Sequence, residues 1–285
     1  MKTMKKTLLC CVVAAFAFAC SKGPDIDTSK YPASPDDPAI VSVKSAGEGS
    51  KALLRLRPTS GSMQRAALKM SMSGTGIPGG FSMNMDLTSK VLAIGDDGSF
   101  SMEMSIDDAS MGGMPGAEDI GDILAGFTIK QTMSARGDII EGTIDTPGLA
   151  GLDDMLDKSF QGVQFSLPED QVGTGASWTV RSLENEQNIR VYQTITYTVE
   201  AIDGDIVTLA VDLDQRARDQ KIEAGFQTAD LDYLHTTGKG KMTLDLTKPV
   251  PVSMHLNGNI KMKVSVGGDS QEATMSMNIS LNPIG

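Results

Sequence analysis

The chain has 285 residues, a formal net charge of −11 and 40% apolar residues, which together with 30 glycines is an ordinary globular composition. A wholly disordered chain and a multi-pass membrane protein are both excluded. Two His and three Cys leave little material for a metal or nucleophile site, whereas 18 Met stand against only 5% aromatic residues.

Residues 1–19 read as a secretory signal, with Lys2, Lys5 and Lys6 ahead of an apolar run from Leu8 to Ala19. The run is shorter than the ~20 apolar residues a bilayer span needs. It ends Phe16-Ala17-Phe18-Ala19-Cys20-Ser21, which resembles the bacterial lipobox. That resemblance implies cleavage before Cys20 and acylation of its thiol and new amine, and two or three acyl chains anchor stably where one does not. Cys10 and Cys11 leave with the signal, so the mature chain has one Cys and no internal disulfide. Cleavage also removes three Lys and no acid, leaving 22 basic against 36 acidic residues, a charge of −14. Such a chain is repelled by nucleic acid, so no nucleic-acid partner is expected. Ser21 in place of Asp implies sorting to the outer membrane, facing the periplasm or the cell surface. Residues 20–47 are read as the lipidated Cys and a flexible tether, with Pro24, Pro32, Pro35 and Pro38 among Asp, Ser and Lys. Twenty such residues reach about 25 Å.

From residue 48 onward the expectation is one β-rich domain. Leu68, Met70 and Met72 alternate with polar residues, as do Phe81, Met83, Met85 and Leu87, and Phe100, Met102, Met104 and Ile106. The run from Val252 to Val266 and that from Ala273 to Leu281 do the same. Period two gives each strand one wet and one apolar face, which favours an antiparallel sheet. Asp97-Gly98, Asp203-Gly204 and Gly267-Gly268-Asp269 supply the hairpin turns. Strands this long are expected to curve, with Gly258 as a bend or bulge.

Two stretches change period. Ile120, Ile123, Leu124 and Phe127 recur at helical spacing over 117–127; Leu149, Leu152, Met155 and Leu156 do so over 149–160, after the N-cap pair Thr146-Pro147. Two short helices are expected to cover the sheet's apolar face. Before the first, residues 111–116 read as a loop with exposed Met. Ala93-Ile94…Asp97-Gly98 is echoed by Ala201-Ile202-Asp203-Gly204, so the domain divides into two pseudo-repeated halves, 48–135 and 176–285, around a helical middle. The expected fold is mainly β: a strongly curved antiparallel sheet, half-barrel or open barrel.

The segment Leu167-Pro168 … Val172 … Gly175-Ala176-Ser177-Trp178 resembles an element, Leu-Pro-x3-Val-x2-Gly-Asp-Ser-Trp, of an uncharacterised family of bacterial lipoproteins. Leu54-Arg55-Leu56-Arg57-Pro58 resembles the same family's early strand, and Tyr197-Thr198-Val199-Glu200 a later one. Ala176 stands where the family has Asp, and the resemblance implies no activity. The layout is also similar to the half-barrels of periplasmic lipoprotein carriers, which implies an apolar cavity under a curved sheet.

The Met-x-Met pairs are the candidate site: Met70/Met72, Met83/Met85, Met102/Met104 and Met275/Met277. As core residues they fill gaps but specify a core poorly. As a cavity wall they suit an apolar or amphipathic, lipid-like ligand. As thioether pairs on one strand face they suit Cu(I), although none lies near a His or a mature Cys. Gly74-Thr75-Gly76-Ile77-Pro78-Gly79 joins two strands, where dinucleotide binding needs a strand entering a helix. His235 and His255 are read as solvated and Trp178 as core. No nucleophile–base set and no zinc spacing is present. The sequence thus points to a non-catalytic envelope lipoprotein, with no cofactor or metal, binding a ligand on a Met-lined concave face through these eight residues and anchored at Cys20. A structural or assembly lipoprotein with a filled core, working with envelope partners, and a Cu(I) binder are the alternatives.

Overall fold

The computed structural model describes residues 23, 25–75, 77–113, 123–145, 165–186, 189–224 and 227–284. Among them are fourteen strands. The first half holds β1 (Ile40–Ser45), β2 (Glu48–Ala52), β3 (Met63–Gly74), β4 (Ile77–Ile94), β5 (Phe100–Gly112), β6 (Thr128–Met133) and β7 (Ile139–Asp145). The second holds β8 (Val172–Thr174), β9 (Ser177–Glu186), β10 (Ile189–Asp203), β11 (Ile206–Ala224), β12 (Gln227–Asp245), β13 (Ser253–Val266) and β14 (Asp269–Pro283). Twelve strands form one antiparallel sheet in the order β1-β9-β10-β11-β12-β13-β14-β3-β4-β5-β6-β7, and β2 pairs with β8. The large sheet is not closed; β1 and β7 are its outer strands among the described residues.

The alternating runs set the register. Leu68, Met70 and Met72 lie opposite Met85, Met83 and Phe81 on one side and Leu281, Ile279 and Met277 on the other. A slip of one residue would turn all of them to water, so the pattern itself fixes the pairing. Gly98, Gly204, Gly267 and Gly268 take positive φ at the three expected hairpin turns. Gly258 is not a bulge, since the register runs through it without a shift on both sides. It permits close approach instead: a Cβ there would meet the Thr237 carbonyl oxygen at 2.7 Å and the Met277 methyl at 3.2 Å.

The main core sits at one end of the strands. Phe100, Met102, Val91 and Met133 from one wing share a buried cluster with Trp178, Tyr197, Leu209 and Leu244 from the other. Strands β9 and β6 are nine places apart, which would separate them by ~43 Å in a flat sheet. Two irregular segments bring the wings together. Leu56 N–H donates to the Ala135 carbonyl at 2.7 Å and Arg57 N–H to the Leu246 carbonyl at 2.6 Å. Leu167 N–H donates to the Arg136 carbonyl at 2.9 Å. Trp178 Nε1 donates to the Ser166 carbonyl at 2.9 Å, and the Ser166 hydroxyl donates to Asp138. Trp178, fully buried, stacks on Tyr197 with centroids 5.4 Å apart. The element around Leu167 and Trp178 is therefore a structural lock.

At the opposite end of the strands the apolar face divides. Met85, Leu87, Ile106, Ala109 and Phe127 form one cluster on β4–β5 and the segment that follows; Val191, Ala217 and Leu231 form another on β10–β12.

The two covering helices find no support. The second, over 149–160, lies wholly outside the described residues. Of the first, over 117–127, residues 123–127 are described, and only Ile123 and Leu124 are helical. Phe127 nevertheless buries against Met85 and Ile106 on the sheet, as an apolar residue there must. Of the loop expected over 111–116, Met111 and Gly112 instead complete β5, and 114–116 lie outside the described residues.

The stretch 25–45, read as part of a tether, is engaged with the domain. Residues 40–45 form β1 on β9. Tyr31 packs edge-on against Tyr192 at 5.2 Å and its hydroxyl lies 3.0 Å from Thr194 Oγ1. Arg218 donates to the Asp25 carboxylate at 2.7 Å and Arg216 to the Asp25 carbonyl at 3.2 Å.

Candidate functional site

The eight singled-out Met residues take one face of the sheet, the face that also carries the buried clusters. Met85 and Met102 are 3% and 0% exposed and belong to filled clusters. The other six, Met70, Met72, Met83, Met104, Met275 and Met277, are half-buried. The register makes them neighbours across strands. One row runs Gly258, Met277, Met72, Phe81; the next runs Leu256, Ile279, Met70, Met83, Met111. Met275 lies opposite Gly74. The Met102/Met104 pair is set apart, since Met102 faces Val91 and Met133 in the main core. Its sulfur and that of Met133 each lie 3.5 Å from Gln131 Nε2, which donates to both.

Met70, Met72 and Met275 belong to none of the three buried clusters. They occupy β3 and β14, between the two clusters of the divided end. Beside them runs a polar rung on the same face. Ser182, Gln193, Gln215 and Thr236 pair across β9–β12, and the row continues into Ile260 and Met275. Gln215 Nε2 donates to Gln193 Oε1 at 2.7 Å and Gln193 Nε2 to Ser182 Oγ at 3.3 Å. Gln193 and Thr236 are buried. A half-exposed thioether surface thus adjoins a hydrogen-bonding strip.

The opposite, outer face carries the charges. Asp214 accepts both guanidinium bonds of Arg216, at 2.6 and 2.9 Å, and lies 3.2 Å from His235 Nε2. Burial pushes its carboxyl up, but the hydrogen bonds and charges of Arg216 and His235 outweigh that and hold it below the usual carboxylate range. The same bond raises the Arg216 guanidinium. His235 thus contacts the Asp214 carboxylate where the sequence suggested a solvated side chain. His255 is exposed. Burial alone pushes the Tyr197 phenol well above its ordinary range, so it stays neutral. Among the described residues no group of three or more His, Cys, Asp or Glu could hold a metal ion.

A shallow depression of about 370 Å³ opens among β13, β14 and β3. Its alternate positions are Ser71, Ser73, Asn257, Asn259, Ser276 and Asn278, the polar face opposite the Met rows. Sequence reasoning passed over it. The signal was present, because β13 and β3 contain no Asp or Glu in a chain with 36 of them.

Cys20 lies outside the described residues, and no described helix is long and apolar enough to cross a membrane. In comparisons with known proteins, neither a family model nor a curated relative matches the chain.

Proposed function

We propose that the protein is a non-catalytic lipoprotein of the bacterial outer membrane, acylated at Cys20, that binds an apolar or amphipathic ligand on its Met face. The single observation carrying this reading is the half-buried Met strip of β3 and β14, left between two separate clusters. Met277 and Ile279 of β14 pack on the main cluster, whereas Met70, Met72 and Met275 join none of the three. Apolar area left open in this way marks a binding surface, and flexible thioethers adapt to chains of varied shape. The adjoining Gln193–Gln215–Thr236 rung suits a ligand with one polar end. In this reading the sheet is a half-barrel whose wings close on the Trp178 core and stand apart beyond it. The eight Met residues divide by role: Met70, Met72 and Met275 contact ligand, Met83 and Met277 flank them while packing on the neighbouring clusters, and Met85, Met102 and Met104 back them.

The test is chemical. Full-length protein is purified from membranes, extracted with organic solvent and analysed by mass spectrometry, beside a Met70→Glu/Met72→Glu variant. A stoichiometric lipid-like species in the wild type that is lost from the folded variant is expected. An empty wild-type extract, together with no saturable uptake of a fluorescent fatty acid, would sink the reading.

A further inference from the structure

The outer face of β13, β14 and β3 differs from the rest of the molecule in charge and composition. The chain carries 36 acidic residues, yet β3, β13 and residues 273–283 of β14 carry none. Six neutral side chains line the depression in two rows across the three strands, with Met72, Gly258 and Met277 in the row between them. Asn257 pairs with Asn278 and then Ser71; Asn259 pairs with Ser276 and then Ser73. One row beyond, His255 and Lys69 stand on one side and Lys261 on the other, all exposed. Lys239 faces Asn257 from β12, with its ammonium 3.3 Å from Asp212.

The floor is already ordered. Asn278 Nδ2 donates to Asn257 Oδ1 at 2.6 Å, Ser276 Oγ to Asn259 Oδ1 at 3.5 Å, and Asn257 Nδ2 lies 2.8 Å from His255 Nε2. Asn257 uses both its oxygen and its nitrogen in these contacts, Asn259 only its oxygen and Asn278 only its nitrogen, so each amide keeps further donor or acceptor capacity. Amides and hydroxyls that both donate and accept match sugar hydroxyls, which do the same. The lysines and the missing carboxylates add a preference for negative charge. No aromatic ring lines the floor, so a ligand is held by its hydroxyls and charge, without stacking of an apolar ring face. The volume, about 370 Å³, lies within the range of small-molecule sites.

We infer that the Asn/Ser depression on the outer face of β13, β14 and β3 binds an anionic sugar, one bearing a carboxylate or a phosphate. Such a group exists on free acidic polysaccharide and on glycolipid headgroups. Its polar side chains lie on the face opposite the Met side chains, although Met72 and Met277 also line it, and it does not rest on the ligand proposed for the Met face.

The test uses the full-length protein in detergent micelles. An oligogalacturonate is titrated in, with neutral dextran as control; phosphatidylcholine vesicles with and without lipid A form the second arm. Saturable binding of either anionic species, weakening as salt is raised and absent for the neutral controls, is expected. The arm that binds identifies the source. Asn257→Asp/Asn259→Asp keeps both acceptor oxygens of the floor and places negative charge in it, so the fold survives and affinity falls at least tenfold. Ser71→Trp, at an exposed position, fills the opening and abolishes binding. The inference is overturned if neither anionic species binds at millimolar concentration, if dextran binds equally, or if the Asn→Asp pair leaves affinity unchanged.

Discussion

At one end of the sheet, strands from both wings bury Phe100, Met102, Trp178, Tyr197, Leu209 and Leu244 in a single cluster. At the other end the same strands carry two clusters that do not merge, with Met70, Met72 and Met275 half-buried between them. Strand type and alternation are alike at both ends. The difference lies in what crosses the gap: residues 54–58 and 165–168 tie the wings together at one end by backbone hydrogen bonds. Stability and the ligand binding proposed above would then fall at different places on one sheet. A mutation can be expected to damage one without the other.

The largest effect is expected at the lock. Trp178→Ala removes a fully buried ring stacked on Tyr197 and should cost ~3–5 kcal/mol in denaturant unfolding. A loss below ~1 kcal/mol would erase the distinction between the ends. Asp138→Ala is next. It deprives the Ser166 hydroxyl and the Ser134 turn of their acceptor and should cost ~1–3 kcal/mol, with Trp178 fluorescence shifted by a loosened Ser166 contact. Met72→Ala, at the open end, should cost under about 1.5 kcal/mol, because a half-buried side chain loses less than a core one. A loss equal to that of Trp178→Ala would mean that the Met strip is core. Amide exchange should follow the same order, slow at Val180, Val199 and Leu209 and faster at Met72, Met275 and Ile260.

The smallest effect concerns pH. The Asp214 carboxyl is held low in the folded state by Arg216 and His235. Its contribution is therefore present above the unfolded value of ~3.9 and is lost as pH falls through the lower folded value. Asp214→Asn should be less stable than the wild type at neutral pH, and the two should converge in acid. A constant difference down to the acid limit would show that Asp214 does not titrate as argued.

Period two in the sequence was enough to place β3, β4, β5, β13 and β14 and their apolar faces, because side chains two apart share a face, and the Gly-containing turns followed from their motifs. The joining of the wings was not legible. Leu54, Leu56, Phe165 and Leu167 are buried in extended chain with no partner strand, and such segments have no period to read. Trp178 was correctly assigned to the core, but its hydrogen bond to Ser166 depends on a fold-level meeting of distant segments. The Met face followed from alternation alone. The polar depression was missed because Ser and Asn on a wet face are the default, and their meaning emerges only when three strands are set side by side.

The segment leading into β1 carries a mechanical consequence. A Cβ on Gly23 would meet the Tyr233 Cβ at 2.5 Å, and Asp25 and Tyr31 are pinned to β10 and β11. With acylation at Cys20 as proposed, only two residues separate the fatty anchor from the first docked one. Three peptide steps span at most ~11 Å. The body would then ride on the headgroups like a moored hull, its heading fixed by Arg216 and Arg218, and would not swing on a long cable.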